Sequence, residues 1–256
     1  MSETVKLFGI PVAKVTEAEA VERIVEMARE GRAASAKAAM VSTLNVDFVT
    51  NAVSGGPFGG NDELLGYLKG ADLVTADGMP IVLLSKLVRN PLPERVTGAD
   101  LVPVICRRFA EERLSVYVLG GDRKTVELAF EKLPPVKVAG IDPAVVNLDA
   151  DQPDIVARIN AARPDLLFVA LGNPKQELWM GRNAARVEVP VMMGVGGTFN
   201  FIAGCVKRAP RWMQRCGMEW IHRILQEPRR LWRRYAYGLV KFSWLAILQL
   251  RGKYNG

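Results

Sequence analysis

The sequence is poor in the side chains that most metal sites and nucleophilic active sites need. Its 256 residues contain one histidine, His222, and three cysteines, Cys106, Cys205 and Cys216. An odd number of cysteines without C-x-x-C spacing predicts neither a disulfide framework nor a thiolate zinc site. A single histidine excludes a multi-histidine metal centre and leaves almost no material for a Ser-His-Asp triad. The cysteine content is typical of a protein in a reducing compartment.

Long apolar runs are lacking as well. The sequence never reaches the roughly 18 to 20 consecutive apolar residues that span a bilayer, so we expect no transmembrane helix. The first thirty residues mix acids and bases and lack the apolar core of a signal peptide, which predicts a cytoplasmic protein. Because 49% of the residues are hydrophobic and 24% are charged, the chain can bury a large core, and disorder is excluded as its main state.

Positive charge is concentrated at one end of the chain. The net charge is +7, but residues 205–256 carry 12 Lys and Arg against 2 Glu, which leaves a net charge of −3 for residues 1–204. Aromatic and aliphatic residues are interleaved with these arginines, as in helices that lie in a membrane interface. Two alternatives stay open: the tail binds nucleic acid by phosphate contact and stacking, or it packs on the body as a helical hairpin with solvated arginines.

Short apolar runs alternate with amphipathic stretches, a pattern typical of βα units and a parallel sheet. We predict an α/β fold for residues 1–204, a Rossmann-like, mostly parallel six-stranded sheet with helices on both faces. The predicted strands are residues 38–43, 72–75, 115–119, 136–141, 165–171 and 189–195. The predicted helices are residues 17–29, 46–52, 62–69, 79–88, 99–112, 123–132, 152–162 and 174–186.

Two segments interrupt this alternation. Residues 51–62 contain four glycines and a proline, which predicts a flexible loop that covers the neighbouring strand ends, with an ordinary surface loop as the alternative. Residues 205–256 predict a C-terminal appendage of two or three helices, divided where Pro228 occupies a first turn.

Polar residues that directly follow predicted strands are the candidate site residues, because ligands of open parallel sheets bind beyond the carboxyl ends of the strands. Five such clusters occur, at residues 42–47, 75–80, 119–125, 171–177 and 194–204. The glycine pairs at 120–121 and 196–197 would let backbone amides approach a phosphate, although close strand-to-helix packing explains such pairs equally well. Since G-x-G-x-x-G and P-loop motifs are both missing, a nucleotide-dependent oxidoreductase and a P-loop NTPase are disfavoured.

Asp77 is the candidate general base, since it follows a buried strand and precedes a helix; a helix cap is the alternative. Thr43 and Asn45, on the next strand, would be neutral hydrogen-bonding neighbours. Gln176 offers an amide that can pair with a sugar hydroxyl or a base edge, while Glu177 would satisfy a helix N-terminus. The D-x-D pair Asp149 and Asp151 precedes a predicted helix, so we predict capping and assign no metal.

Seven motifs occur together, in order, across nearly the whole chain: TLNVD, ADGMPIV, ERVTGADLV, VYVLGGD, LLFVALGNPKQELWM, MGVGGTFNFIAGCVKRAPRWMQ and EWIHRILQEPRRLWRRY. This combination resembles the WecG/TagA/CpsF family of glycosyltransferases of bacterial surface-polymer synthesis. The resemblance implies an inverting, metal-independent transfer of an N-acetylhexosamine-type sugar. The donor would be UDP-N-acetylmannosamine or its uronic acid, and the acceptor a polyprenyl-diphosphate-linked sugar of polysaccharide or teichoic acid synthesis.

The resemblance also implies where the protein works and with what. It would be cytoplasmic, peripheral on the inner face of the cell membrane, with an anionic membrane surface as partner, no cofactor and no nucleic acid. A second copy of the chain is a further candidate partner. A noncatalytic, membrane-associated sugar-binding protein is the alternative function.

Carried to this chain, the resemblance implies roles for individual residues. They are Asp77 as base, Thr43 and Asn45 as its neighbours, Arg95 as an active-site cation, Gln176 on the UDP-sugar, and Arg223, Arg230 and Arg233 of the appendage at the diphosphate. Asn200 departs from the family, which commonly has Asp there, so a nucleotide-binding role is altered or the position is structural. His222 replaces a frequent Tyr, which we interpret as a tolerated aromatic exchange.

Overall fold

The structure, a computed structural model, describes residues 3–33 and 37–254, in four cases without the side chain (residues 32, 33, 215 and 230). A two-stranded hairpin precedes a six-stranded sheet. In chain order the strands are β1 (Thr4–Leu7), β2 (Ile10–Ala13), β3 (Ala39–Leu44), β4 (Leu73–Ala76), β5 (Ser115–Gly120), β6 (Lys137–Asp142), β7 (Leu166–Ala170) and β8 (Val191–Gly194).

The large sheet has the strand order β4-β3-β8-β7-β5-β6, and its neighbouring strands are parallel. Its six strands are the six predicted from the sequence, each displaced by at most two residues at either end. Because the strands are parallel, the segments that follow β3, β4, β7 and β8 all reach the same edge of the sheet. The segment that follows β5 reaches this edge as well, so the fold brings all five predicted polar clusters to neighbouring strand ends.

Helices cover both faces of the sheet. Along β5, Val116 and Val118 belong to one buried apolar cluster, while Tyr117 and Leu119 belong to another, as expected for a strand buried on both sides. The helices of the body are α1 (Glu17–Ala33), α2 (Val46–Ala52), α3 (Asp62–Lys69), α4 (Met79–Leu87), α5 (Gly98–Glu111), α6 (Arg123–Lys132), α7 (Pro153–Ala162), α8 (Lys175–Asn183) and α9 (Thr198–Ala203). The first eight confirm the predicted helices, whereas α9 was not predicted.

The β1–β2 hairpin was not predicted either. Phe8 and Gly9 form its turn with φ of 56° and 76°, the conformation of a tight hairpin turn in which both central residues have positive φ. Such turns favour Asn-Gly or Asp-Gly, so Phe-Gly gave no signal. Phe8 tolerates the strained conformation because its side chain is buried, and its N–H donates to Gln249 Oε1 at 2.7 Å.

The appendage consists of three helices, α10 (Arg211–Arg215), α11 (Glu219–Gln226) and α12 (Pro228–Leu250), with Pro228 in the first turn of α12 as predicted. Helix α12 returns to the body and buries Leu245 completely. Among the described helices, not one is both long and apolar enough to cross a bilayer.

Residues 51–62 form part of the surface on which α12 packs. A Cβ added to Gly55 would lie 2.7 Å from Leu245 Cδ2, so the two segments approach closely. The buried ammonium of Lys241 donates to the carbonyl oxygens of Thr50 and Gly59. The residues that line the cavity at the strand ends do not come from this segment. The prediction that it covers the strand ends was therefore wrong, because its glycines accommodate a helix instead.

Candidate active site

A cavity of about 1230 Å³ lies at the carboxyl edge of the sheet, between the body and the appendage. The segments after β3, β4, β7 and β8 contribute to its wall, and so do α11 and α12. The turn at Gly196 and Gly197 lines it, whereas the turn at Gly120 and Gly121 after β5 does not. The cavity thus lies over the four consecutive strands β4, β3, β8 and β7 and not over β5 and β6.

Asp77 lies in the wall of this cavity. It follows β4 directly, its N–H donates to Leu44 O at 2.8 Å, and Gly78 with φ of 103° turns the chain into α4. Its carboxylate has no hydrogen-bond partner among the described residues, and since Gly78 is the N-cap of α4 and no side chain caps that helix, Asp77 is not a helix cap. Burial raises its pKa to about 7; the negative charges of Glu219 and Asp100 add to the effect, and Arg95 and Arg208 oppose it. This carboxylate is available to accept a proton.

Thr43 and Asn45 line the cavity from the neighbouring strand. Thr43 pairs with Thr75 in the parallel register of β3 and β4, and its side chain is buried. Asn45 caps α2, and its Oδ1 accepts from the N–H groups of Asp47 at 3.0 Å and Phe48 at 3.3 Å. The cap leaves the Nδ2 amide of Asn45 as a donor toward the cavity.

Gln176 holds two turns of the cavity wall in place. Its buried Oε1 accepts from the N–H groups of Gly172 at 3.2 Å and Gly196 at 2.9 Å, and Nε2 donates to Glu177 Oε1 at 2.6 Å. The second oxygen of Glu177 accepts from Asn173 Nδ2 at 3.0 Å, and burial raises the pKa of Glu177 to about 7. This network positions the turns after β7 and β8, and Gln176 itself still lines the cavity.

Arg95 lies between the body and the appendage. Its Nη1 donates to Glu219 Oε2 at 3.1 Å, and its Nη2 donates to Asp100 Oδ2 at 3.3 Å and Gln214 Oε1 at 3.1 Å. Glu219 and Gln214 belong to α11 and α10, so a side chain after β4 fixes both helices. All of these residues except Asp100 line the cavity.

Arg208 is a second cation at this place, and sequence reasoning missed it. It binds Asp100 through two hydrogen bonds, Nη1 to Oδ1 at 2.6 Å and Nη2 to Oδ2 at 2.9 Å. Its buried Nε has no hydrogen-bond partner in the described part of the chain and lies 3.9 Å from Glu219 Oε1. Arg208 lines the cavity, so its guanidinium group places positive charge where a phosphate could bind. Arg208 lies in the motif MGVGGTFNFIAGCVKRAPRWMQ, but the sequence has no signal that distinguishes it from the neighbouring basic residues.

The predicted arginines of the appendage lie in different places. Arg223 lines the cavity, with its guanidinium 5.1 Å from the centre of the Phe201 ring. Arg233 is exposed, 5.3 Å from the Trp232 ring, and does not line the cavity. The side chain of Arg230 lies outside the described residues. Arg234, which was not predicted, lines the cavity and pairs with Asp47.

Two other predictions concern polar residues. Asn200, in α9, lines the cavity. The capping prediction for Asp149 and Asp151 was wrong: Gln152 is the N-cap of α7 without a side-chain hydrogen bond, and Asp151 instead pairs with Arg186 at 2.8 Å.

Metal ligands do not converge in the part of the chain that is described. Within residues 3–33 and 37–254, no group of three or more His, Cys, Asp or Glu side chains is placed to hold a metal ion. The Nδ1 atom of His222 lies 2.7 Å from Nε2 of Gln226, and His222 does not line the cavity.

Comparison with known proteins gives one consistent result. The sequence profile described as "Glycosyl transferase WecG/TagA/CpsF family" matches residues 5–256. Three similar proteins are named N-acetylglucosaminyldiphosphoundecaprenol N-acetyl-beta-D-mannosaminyltransferase. That of Bacillus spizizenii is 32% identical over 77% of this chain and 75% of its own length. That of Bacillus subtilis is 28% identical over 77% of this chain and 74% of its own length. That of Staphylococcus aureus is 30% identical over 75% of this chain and 74% of its own length.

Proposed function

Because the chain belongs to the WecG/TagA/CpsF family of glycosyltransferases, we propose that it transfers an N-acetylmannosamine-type sugar from UDP to N-acetylglucosamine carried on a polyprenyl diphosphate. The names of the relatives supply the transferred sugar and the acceptor. The observation that carries the proposal is the position of Asp77, an unpaired carboxylate in the wall of a cavity that guanidinium groups share.

The proposed reaction is a single displacement. The acceptor hydroxyl oxygen attacks the anomeric carbon of the donor from the face opposite the diphosphate. The glycosidic C–O bond forms while the bond between the anomeric carbon and the phosphate oxygen breaks, so the configuration inverts and UDP leaves with the electron pair. Asp77 accepts the hydroxyl proton. A pKa of about 7 keeps part of this carboxyl ionised near neutral pH and makes it a stronger base than an ordinary Asp.

The departing UDP gains negative charge, which positive groups must stabilise. Arg95, Arg208 and Arg223 line the cavity with Asp77 and can supply this charge. Guanidinium forks bind phosphate oxygens through paired hydrogen bonds, as a divalent metal does through coordination. We therefore propose that these side chains carry the leaving-group role without a metal ion.

The acceptor lipid resides in a bilayer, so the enzyme has to meet it at the membrane surface. We propose that this surface is the inner face of the cell membrane and that the appendage binds it. Residues 205–256 carry a net charge of +10, and the side chains of Trp212, Leu225 and Trp232 are 60%, 74% and 52% exposed. Cationic helices with exposed aromatic and aliphatic groups bind anionic lipid interfaces.

The test is a screen of UDP release over several UDP-sugars, with a short-chain polyprenyl-diphosphate-GlcNAc acceptor, with and without EDTA. Asp77→Asn should lower kcat about 10²- to 10⁴-fold, the range for loss of a general base, without changing the melting temperature or UDP affinity appreciably. Asp149→Asn is the matched control, since Asp149 lies outside the cavity. Retention of most activity by Asp77→Asn would remove the base, loss of activity in EDTA would contradict metal independence, and no UDP release with any donor would contradict the transfer.

A further inference from the structure

The active-site cavity has an apolar part that the transfer chemistry does not use. Helix α4 contributes Leu83, Leu84 and Leu87 to its wall, and α12 contributes Leu239, Phe242 and Ala246. Leu87 is three and four residues from Leu84 and Leu83, and the α12 residues are spaced by three, four and seven, so each set lies on one side of its helix. We call this part, between the two faces, the apolar groove. It is continuous with the wall that holds Asp77, because α4 begins two residues after that carboxylate.

Several side chains of the groove are open to solvent. Leu83, Leu87 and Leu239 are 50%, 64% and 58% exposed. Single exposed leucines are common, but a concave cluster of them is typical of a site that an apolar ligand covers.

Gly238 keeps the groove open. It lies in the interior of α12 and lines the cavity, and a Cβ added there would meet no described atom within 4 Å. Glycine weakens a helix interior relative to alanine, and here no close approach of another element requires it. A larger side chain at this position would project into the groove, so the glycine preserves space rather than packing.

The order of residues along α12 matches an amphiphile with an anionic head. Arg234 lines the cavity first, Gly238 and Leu239 follow one turn later, and Phe242 and Ala246 lie farther along. From Gly238 to Ala246 the helix rises about 12 Å, roughly the length of two or three isoprenoid units. A diphosphate beside the cationic turn would direct a hydrocarbon chain along the apolar residues.

We infer that the apolar groove binds the first isoprenoid units of the acceptor's polyprenyl chain. This inference rests on the proposed function for the identity of the acceptor. The alternative is that these leucines contact the hydrocarbon part of the bilayer itself. A single isoprenoid chain is favoured over the bilayer because Leu83, Leu87 and Leu239 line one cavity that also holds the polar site. Leu225 of α11 is more exposed than these three leucines but does not line the cavity.

Gly238→Leu provides the test, with Gly66→Leu as the matched control. Gly66 is likewise a glycine inside a helix, α3, with no described atom within 4 Å of an added Cβ; it is exposed and lies outside the cavity, whereas Gly238 is buried in the cavity wall. Both variants should fold, because leucine is the better helix former at either position. The probes are dimethylallyl, geranyl and farnesyl diphosphate, with one, two and three isoprenoid units, titrated by calorimetry without lipid or detergent.

The wild type should bind farnesyl diphosphate at least about tenfold more tightly than dimethylallyl diphosphate, because two more units are buried. In Gly238→Leu this ratio should fall below about threefold, while Gly66→Leu keeps the wild-type ratio. A wild type without preference, or an unchanged ratio in Gly238→Leu, overturns the inference. So does weaker binding of Gly238→Leu to anionic phosphatidylglycerol vesicles with an unchanged ratio, which would assign the leucines to the bilayer.

The titration is independent of turnover. If the isoprenoid preference and its loss in Gly238→Leu are observed but no UDP-sugar is turned over, the groove stands and the proposed transfer fails. If UDP is released and the preference is missing, the transfer stands and the groove fails.

Discussion

Two of the junctions between the appendage and the body have opposite chemistry. The apolar junction consists of Phe8, Lys241, Phe242, Leu245, Gln249 and Tyr254, where ring centres of Phe8 lie 5.9 Å from Phe242 and 5.7 Å from Tyr254. The polar junction consists of Arg95, Asp100, Arg208, Gln214 and Glu219. Only the polar junction lies at Asp77. The attachment of the appendage and the activity of the protein should therefore depend on different residues.

The two junctions differ in what holds them. Burial of aromatic and aliphatic side chains is insensitive to salt and pH, and the polar groups buried there, Lys241 and Gln249, are satisfied by backbone partners. Partly exposed ion pairs contribute less and weaken with salt. The apolar junction anchors α12, whereas the polar junction sets the position of charges beside the cavity.

Leu245→Ala should have the largest effect on stability. Leu245 is fully buried, belongs to the same apolar cluster as the hairpin residues, and closely approaches Gly55 in the loop of residues 51–62. Loss of its side chain should lower the free energy of unfolding by about 2 to 5 kcal/mol, measured by urea denaturation. Leu250→Ala, on the same helix but 49% exposed, is the control and should change it by less than about 0.5 kcal/mol.

Equal effects of the two leucine variants would show that α12 is not anchored through this junction.

The same packing limits deletion experiments. Removal of residues 205–256 would uncover Phe8 and the core around it, so loss of activity would report unfolding as well as loss of the appendage. Point variants at each junction separate these effects.

Arg208→Ala should act mainly on activity. It removes the two hydrogen bonds to Asp100 and one positive charge from the wall of the cavity. We expect kcat/KM to fall about 10- to 100-fold, as for loss of one charge-assisted contact to the leaving group, with a smaller change in unfolding free energy than Leu245→Ala. UDP release and urea denaturation are measured on the same preparation.

Arg211→Ala is the control for charge, because Arg211 is an exposed arginine three residues farther along the chain and does not line the cavity. An Arg208→Ala variant with normal kcat/KM would exclude this side chain from the reaction. A fall shared equally by both variants would assign the effect to overall charge instead.

Sequence reasoning succeeded where the signal was local. The strands of the sheet were predicted because short apolar runs alternate with amphipathic helices. The carboxyl end of a parallel strand also indicated the position of Asp77, which lines the cavity, while its role as a base stays a prediction. The hairpin turn at Phe8 and Gly9 was missed because its residues are not the ones such turns favour.

The remaining site could not be predicted because its contacts connect distant parts of the chain. Arg95 and Glu219 are 124 residues apart, and no periodicity relates them. Arg233 and Arg234 are consecutive, and the sequence alone does not indicate which of the two guanidinium groups faces the cavity. Successive residues on a helix point about 100° apart, and the packing of α12 on the body decides the phase.

Glu219→Gln gives the smallest and most specific effect across the polar junction. After burial, the charge of Glu219 is the largest contribution that raises the pKa of Asp77, and Glu219 also engages Arg95, whose charge lowers that pKa. Neutralising Glu219 should therefore lower the pKa of Asp77 from about 7 by both routes. Since the proposed base acts as the carboxylate, the rise of kcat/KM with increasing pH should move to lower pH, by less than about one unit.

The measurement is kcat/KM for UDP release from about pH 5 to 9, with Glu22→Gln as control. Glu22 pairs with Arg108 at an exposed site away from the cavity, so the same loss of one negative charge there should leave the profile in place. A profile of Glu219→Gln that stays fixed or moves to higher pH would show that the appendage does not set the charge at Asp77. The polar junction would then serve attachment alone, and its difference from the apolar junction would be one of strength rather than of role.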